Sequence, residues 1–436
     1  MKNKTLIIFA VILLNILALG MTVSSIASGN TEYDEALSLA RQYREQNLCA
    51  KAITQYEEVL SIEDTIEVRT EMILTYQKGL ENGEFTNKYT IDKQVFAVVD
   101  AHRDDCKAYE YAAQFFYDTG DYEDCVTILQ QAEHRGISSE RLDEITDKVR
   151  YKYELTFSMY SEVNPIFDGK YLIREGEKYR YLDSLASSTV GSGYTYASSF
   201  SEKLAFVKKD GYAFIVNEAG ERQVYFDSSI ERSSGVGSGL LACLEGSVYK
   251  YYDVNGEYKF GNYLFAGRFR NNVAAVKEAE GEWYLIDPTG NRIVDTKFED
   301  ILLNEHEECA ARGVIFAKTN GTYKMYDLEM QQIGTFECDN ACLFVDEGCA
   351  AFENDGQWGF VDGEGTVVIE PKYDGAKSFS NGLAGVKIGE TWSFINEKGE
   401  IAIDGQFEDV DYMNESGICF VKTSGYWKYI VLYYVE

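Results

Sequence analysis

The chain has 436 residues, 45% of them hydrophobic and 26% charged, which suffices for two or three domains with buried cores. A formal net charge of −31 argues against nucleic acid as a partner, because so negative a surface repels phosphate backbones. Nine scattered cysteines are too sparse for a disulfide scaffold, so we expect buried free thiols, with one or two local disulfides left open.

The N-terminal segment, residues 1–29, has the pattern of an export signal. Lys2 and Lys4 precede an apolar run at 6–20, and small residues follow it. If the segment is not cleaved, residues 5–27 are long enough to span a bilayer as an anchor helix. The lysines would then remain in the cytoplasm. Both alternatives predict export: a membrane-anchored protein facing outward, or a protein secreted after signal cleavage.

Residues 31–160 have the apolar period of paired helices, with small and aromatic residues recurring three and four positions apart. The motif consists of Ala40, Tyr43, Asn47, Ala52 and Tyr56 in one unit, and of Ala113, Phe116, Gly120, Tyr122, Cys125 and Ala132 in another. It resembles the tetratricopeptide repeat, in which small residues let two helices approach. We expect five to seven helices in a short solenoid, the last over 141–160, while 80–105 fits no repeat well. The resemblance implies a concave face for peptides; a spacer or a cap on the β domain is the alternative.

Residues 166–436 repeat a β-hairpin eight times. Each copy has an apolar strand, a glycine-containing turn and a second strand opened by an aromatic residue. These aromatic residues are Tyr179, Tyr212, Tyr249, Trp283, Tyr323, Trp358, Trp392 and Trp427. Their spacing of 33 to 40 residues is typical of a repeat architecture.

Turn residues account for the glycines and acids of these units. Asp-Gly and Asn-Gly pairs, as at 355–356, supply the positive φ that tight hairpins need. A second turn follows at 253–256, 287–290 and 362–365, where an Asx side chain caps its own backbone. We interpret these as turns and not as calcium loops, which need more carboxylates at alternating positions.

The unit formed by 357–362, 367–374 and 379–387 is close to a complete repeat of a known kind. It resembles the WG (KWG) repeats of bacterial proteins, and the resemblance covers about three-fifths of the chain, roughly 270 residues. Only Trp358 is followed by the glycine of the family motif, and the early units have Tyr in place of Trp. The resemblance implies a β-repeat fold and no reaction.

The predicted fold class is multidomain α and β: the signal or anchor helix, a TPR-like α-solenoid, then an all-β domain of eight hairpin units. Eight units can close into a propeller-like ring, which we favour, or stack as an open β-solenoid. The repeated aromatic residues are expected to pack between units, and a groove that stacks on sugars or peptides is the alternative.

No catalytic, cofactor-binding or metal site is predicted, and the binding residues remain unknown. His306 and Cys309 lack the paired spacing of a zinc site with Cys338 and Cys342. The glycine run at 235–239 is interpreted as a loop. The sequence favours a non-enzymatic, exported scaffold of the bacterial cell envelope with protein partners. Carbohydrate or cell-wall polymer binding by the β repeats is the alternative, and a hydrolase whose carboxylates meet only in the fold is a third hypothesis.

Overall fold

A computed structural model of the chain describes residues 31–187 and 189–435. Its contacts divide the chain into two compact units, with the boundary after Arg150. The predicted domains were 31–160 and 166–436, so residues 151–160 belong to the second unit and not to the first. The predicted signal or anchor segment, 1–29, lies outside the described residues. Within the described residues, no helix combines the length and apolar character needed to cross a membrane.

The helical unit contains seven helices within residues 31–150. They are α1 (31–45), α2 (Cys49–Ile62), α3 (Ile66–Glu81), α4 (Tyr89–Ala101), α5 (Cys106–Thr119), α6 (Tyr122–His134) and α7 (Glu140–Val149). The predicted turns separate them, because Asn47 (φ 58°) and Gly120 (φ 76°) adopt the left-handed conformation that ends a helix. The small and aromatic residues of the repeat pattern form the core, including fully buried Ala40, Tyr56 and Phe116. The prediction of five to seven helices is confirmed, and α4 occupies the stretch that fitted no repeat.

The last predicted helix, 141–160, is shorter than expected. Ser139 caps α7, accepting a hydrogen bond from the Leu142 N–H (3.2 Å), and the helix ends at Val149. Residues Tyr153–Leu155 form strand β1 instead. The helical apolar period stops there, and pairing with another strand takes over the backbone hydrogen bonds.

The β unit consists of eight antiparallel sheets, called blades 1 to 8. Blade 1 is β2 (Glu162–Phe167), β3 (Lys170–Glu175), β4 (Lys178–Asp183) and β5 (Thr189–Tyr194). Blade 2 is β6 (Tyr196–Ala197), β7 (Leu204–Lys209), β8 (Tyr212–Asn217) and β9 (Arg222–Phe226). Blade 3 is β10 (Ile230–Gly237), β11 (Leu240–Glu245), β12 (Val248–Asp253) and β13 (Tyr258–Tyr263). Blade 4 is β14 (Phe265–Ala266), β15 (Ala274–Ala279) and β16 (Glu282–Ile286).

The remaining blades follow in chain order. Blade 5 is β17 (Asp300–Ile301), β18 (Ala310–Ala311), β19 (Val314–Thr319), β20 (Thr322–Tyr326) and β21 (Gln332–Cys338). Blade 6 is β22 (Asn340–Ala341), β23 (Ala350–Asn354), β24 (Gln357–Val361) and β25 (Val367–Tyr373). Blade 7 is β26 (Gly375–Ala376), β27 (Leu383–Ile388), β28 (Thr391–Asn396) and β29 (Ile401–Phe407). Blade 8 is β30 (Asp409–Val410), β31 (Ile418–Thr423) and β32 (Tyr426–Leu432), with β1 on its outer edge.

Blade 8 closes the ring with strands from both ends of the unit. β1 pairs antiparallel with β32, and Tyr153 lies opposite Leu432. This pairing covers the apolar last strand, which would otherwise expose an unpaired edge. The eight blades therefore form a β-propeller, as favoured from the sequence, and the open-solenoid alternative is wrong.

The turns behave as predicted. Asp355 and Gly356 have φ of 51° and 78°, as a tight hairpin with two positive-φ residues requires. In the second turn of blade 6, Asp362 Oδ1 accepts the backbone N–H groups of Glu364 (3.1 Å) and Thr366 (2.7 Å). The carboxylate is thus a cap of its own turn.

Candidate functional site

The innermost segment of blade 5 is longer than that of the other complete repeats. In blade 7, Ala376 pairs with Val386, ten positions later, whereas in blade 5 Ile301 pairs with Ala317, sixteen positions later. Six extra residues therefore lie between the innermost strand and the second strand of blade 5. We call residues 302–309 the blade 5 loop.

The blade 5 loop reaches blades that do not adjoin blade 5 in the ring. Its contacts are His306 with Phe167 of blade 1 and Ser199 of blade 2, Glu307 with Arg232 of blade 3, and Glu305 with Tyr412 of blade 8. A segment can touch blades 1, 2, 3 and 8 together only at the centre of the ring. The blade 5 loop therefore lies across the propeller axis.

His306 is the buried anchor of this loop. A hydrogen bond of 3.0 Å joins its Nδ1 to the Ser199 hydroxyl, and its ring lies 4.3 Å from that of Phe167, between centroids. Burial, together with the charges of Arg268 and Arg270, lowers the pKa of His306 to about 3. The imidazole is therefore neutral at physiological pH.

Arg268 of blade 4 is 2% exposed, and its packing explains why glycines occur in the run at 235–239 that was predicted to be a loop. Its Nε donates to the carbonyl of Ser234 (2.7 Å), and its guanidinium lies 5.0 Å from the Phe167 ring centroid. A Cβ on Gly235 would collide with the guanidinium, and a Cβ on Gly237 with the backbone of the same segment of blade 4. The interpretation as a loop is wrong for Gly235 and Gly237, which belong to β10, because they make room for Arg268.

Two glutamates complete the charged group on this side of the axis. Glu307 forms an ion pair with Arg232, and Glu308 accepts a hydrogen bond from the Asn304 amide (3.1 Å). Burial raises the pKa of both carboxyls, although the Arg232 and Arg268 charges oppose the shift. One oxygen of each carboxyl, and Nη1 of Arg268, have no hydrogen-bond partner within the described part of the chain.

A second charged group lies between blades 5, 7 and 8. The Tyr412 hydroxyl donates to Glu305 (3.2 Å), and Lys377 Nζ lies 5.4 Å from the Tyr412 ring centroid. Asp411 is 4% exposed, and burial raises its pKa to about 7 against the charge of Lys377. Burial alone would lower the pKa of Lys377, but the charges of Asp411, Glu305 and Asp409 outweigh it and raise this pKa. The axis is therefore filled by the chain's own polar and charged side chains.

The repeated aromatic residues pack between blades. All four Trp side chains are half-buried, and each joins an apolar cluster that spans its own blade and the next. Trp358, for example, packs in a cluster that includes Tyr373 of blade 6 and Phe379 of blade 7. This agrees with the expected packing role.

Blade 2 is the exception. Its register places Ala213 opposite Lys208, where blade 7 places Trp392 opposite Lys387. Tyr212 comes one residue earlier and is 60% exposed. The choice of Tyr212 as the repeated aromatic of blade 2 is therefore wrong. The regular spacing of the aromatic residues did not reveal that Tyr212 lies one position before the repeated site. In a strand, a shift of one position places the side chain on the other face.

The cysteines and histidines considered for zinc lie apart. Cys309, Cys338 and Cys342 belong to three separate apolar clusters, and His306 is held by Ser199. Within residues 31–187 and 189–435, no group of three or more His, Cys, Asp or Glu side chains is arranged to hold a metal ion. The nine cysteines are free thiols.

Sequence reasoning did not identify the axial groups. The available signal was the spacing of 40 residues between Trp283 and Tyr323, the longest in the series. The blade 5 loop lies within this interval.

A family described as WG containing repeat matches residues 193–212, 358–392 and 392–427, in blades 1–2 and 6–8. The fold and these matches define a β-propeller that contains WG repeats. The chain is a WG repeat-containing protein. A comparison with curated proteins gave no match.

Among solved structures, BamB from Moraxella catarrhalis is 9% identical, with a TM-score of 0.45 over 64% of this chain and 99% of that one. A eukaryotic initiation factor is 11% identical, with a TM-score of 0.43 over 65% and 87% of the two chains. Hsv2p of Kluyveromyces lactis is 8% identical, with a TM-score of 0.36 over 56% and 92%.

Proposed function

We propose that this protein is a non-enzymatic, exported scaffold of the bacterial cell envelope that binds protein partners. The observation that carries the proposal is the filled propeller axis, which leaves the outer surfaces of two repeat units as the places for binding. Export rests on the N-terminal sequence, where Lys2 and Lys4 precede the apolar run at 6–20.

The chemistry of the axis supports a role without catalysis. Ser199 and His306 form a serine–histidine contact, but a general base needs a pKa near the operating pH. Burial and two nearby arginine charges hold the pKa of His306 at about 3, and both side chains are buried. An open recess of about 700 Å³ on the helical unit is lined in part by Asp105. The Asp105 carboxylate has a structural role there, because it caps α5 by accepting the Lys107 N–H (3.0 Å).

The positions of the tryptophans support protein partners over sugar stacking by these side chains. A sugar platform needs at least two aromatic faces open in one groove, whereas the four Trp rings fill spaces between blades.

The test is capture from envelope extract by immobilised residues 30–436, beside purified wall polysaccharide. Leu74 on α3 is 49% exposed, and Leu264 in the β unit is 52% exposed, so they form a matched pair of surface positions. If the partner binds the helices, Leu74→Glu abolishes capture of a stoichiometric protein and Leu264→Glu does not. Retention on polysaccharide without a stoichiometric protein partner contradicts the scaffold proposal.

A further inference from the structure

The outer rim of blade 2 departs from a polar pattern seen in other blades. The first residue of the third strand faces a residue of the outer strand. This pair is Glu282 with Lys297 in blade 4 (3.2 Å), and Thr322 with Glu337 in blade 5 (3.0 Å). In blade 2 the same two positions hold Tyr212 and Tyr225.

The two tyrosines form an exposed aromatic corner. Their ring centroids are 5.9 Å apart, the ring planes meet at 70°, and the side chains are 60% and 54% exposed. Single exposed aromatic residues are common on protein surfaces. A pair of contacting rings, both more than half exposed, replaces a polar pair here and requires an explanation of its own.

Two cations border this corner, and neither forms an ion pair with a carboxylate of the described residues. The Arg222 guanidinium lies 4.4 Å from the Phe214 ring centroid and 4.8 Å from that of Tyr225, and it donates to the Tyr225 hydroxyl. Lys209 lies opposite Tyr212 in the hairpin and donates to the Ser192 carbonyl (3.0 Å).

Blade 4 has a carboxylate partner for the equivalent arginine. There, Arg292 stacks on Tyr284 in the way that Arg222 stacks on Phe214, and it pairs with Glu278 (2.7 Å). Glu278 follows Lys277 on the second strand, and the position that corresponds to it in blade 2 holds Lys209. Among the described residues, Arg222 therefore has no ion-pair partner, and a second cation takes the place of its counter-ion.

We propose that the aromatic corner of blade 2, formed by Tyr212, Tyr225, Arg222 and Lys209, binds an acidic glycan, a polysaccharide chain that carries carboxylate groups. The apolar face of a sugar ring stacks on one tyrosine while the other ring forms a wall. The guanidinium and ammonium groups bind a carboxylate, for which the planar Arg222 is the better match.

The surroundings favour a glycan over the apolar centre of a protein interface. The turn beside the corner carries exposed Glu218 and Glu221, but Glu218 pairs with Lys170 (3.5 Å) and Glu221 accepts a hydrogen bond from the Asn217 amide (2.9 Å). Gln223 of the outer strand is exposed as well. The centre of a protein interface is usually depleted of charged residues, whereas polar neighbours suit a hydroxyl-rich ligand. This site goes beyond the proposed scaffold function and is independent of it.

The experiment is affinity electrophoresis of residues 30–436 in native gels containing polygalacturonate, or its neutral methyl ester at equal mass. The test variant is Tyr212→Thr with Tyr225→Gln, which introduces the residues that blade 7 carries at these positions, Thr391 and Gln406. The second variant, Arg222→Gln, removes the charge and keeps both rings. Tyr426→Thr is the matched control, because Tyr426 holds the same position in blade 8 and is 46% exposed.

We expect polygalacturonate, and not its ester, to retard the wild-type protein, with retardation weakening as salt rises. The double tyrosine variant and Arg222→Gln should each weaken the apparent affinity about tenfold or more, because each removes a principal contact. Tyr426→Thr should stay within about twofold of wild type. The proposal is overturned if wild type is not retarded, if the ester retards it equally, or if the double variant is retarded like wild type.

Discussion

Asp411, on the innermost segment of blade 8, is a buried carboxyl group whose ionisation should destabilise the propeller. It is 4% exposed, and neither side-chain oxygen has a hydrogen-bond partner among the described residues. Burial raises its pKa from 3.8 to about 7, with the Lys377 ammonium opposing the shift. The folded chain therefore keeps this proton up to about pH 7, whereas the unfolded chain releases it near pH 4.

The sign of the pH dependence follows from proton binding. Between about pH 4 and pH 7 the folded state binds more protons than the unfolded state, so the free energy of unfolding falls as the pH rises. At about 1.4 kcal/mol per pKa unit, Asp411 disfavours the folded state by about 2 kcal/mol at pH 5 and about 4 kcal/mol at pH 8.

Urea unfolding of Asp411→Asn at pH 5 and pH 8 tests this value. All four tryptophans lie in the β unit, so tryptophan fluorescence follows the propeller transition alone. We expect the stability of the Asn variant relative to wild type to improve by about 2 kcal/mol from pH 5 to pH 8, because any cost of the amide itself is independent of pH. Asp295→Asn, at an exposed position of the β unit, is the control. A wild-type-to-Asp411→Asn difference that does not change with pH refutes the reasoning.

Two further substitutions test the packing of the axis and the closure of the ring by the same unfolding assay. Gly235→Ala should cost about 2–4 kcal/mol, since Gly235 has φ 94° and an added Cβ meets the Arg268 guanidinium. Gly239→Ala, at φ 72° with open space around the Cβ, should cost only about 1 kcal/mol, and equal losses would contradict the packing argument. Glu154→Pro in the middle of β1 should lower propeller stability by at least about 1 kcal/mol relative to Glu154→Ala, through lost pairing with β32. Identical unfolding of these two variants would show that β1 does not hold the ring.

The repeated architecture could be predicted from the sequence because it depends on local rules. Asp355 and Gly356 specify a hairpin turn whatever surrounds them, and the apolar alternation beside them specifies two paired strands. Eight such hairpins within one chain also limit the ways in which strand edges can be protected, which favoured the ring. The closing strand was missed, because Tyr153–Leu155 is only three residues long and pairs with β32, nearly 280 positions away.

The axial groups could not be predicted, because they depend on where blades meet. Ser199 and His306 are 107 positions apart and belong to blades that are not neighbours. The residues next to Ser199 and His306 in the sequence form no motif that would indicate a contact between the two. The prediction for blade 2 was wrong for a different reason. Tyr212 lies one residue before the repeated position, so it fits the spacing within the series, but its side chain lies on the opposite face of the strand.

Both sites lie where one copy departs from the repeat. Residues at the regular repeat positions, such as Trp358 and Trp392, pack one blade on the next. Because they contribute to the core, their side chains are not available to bind a ligand. Where a copy departs from the repeat, its residues are not needed for packing between blades. In blade 5, six added residues fill the axis. In blade 2, Ala213 takes the repeated aromatic position, and the ring of Tyr212 lies at the surface. In a repeat protein of this kind, binding should therefore be sought first at the irregular copies, because the regular positions already have a structural partner in every blade.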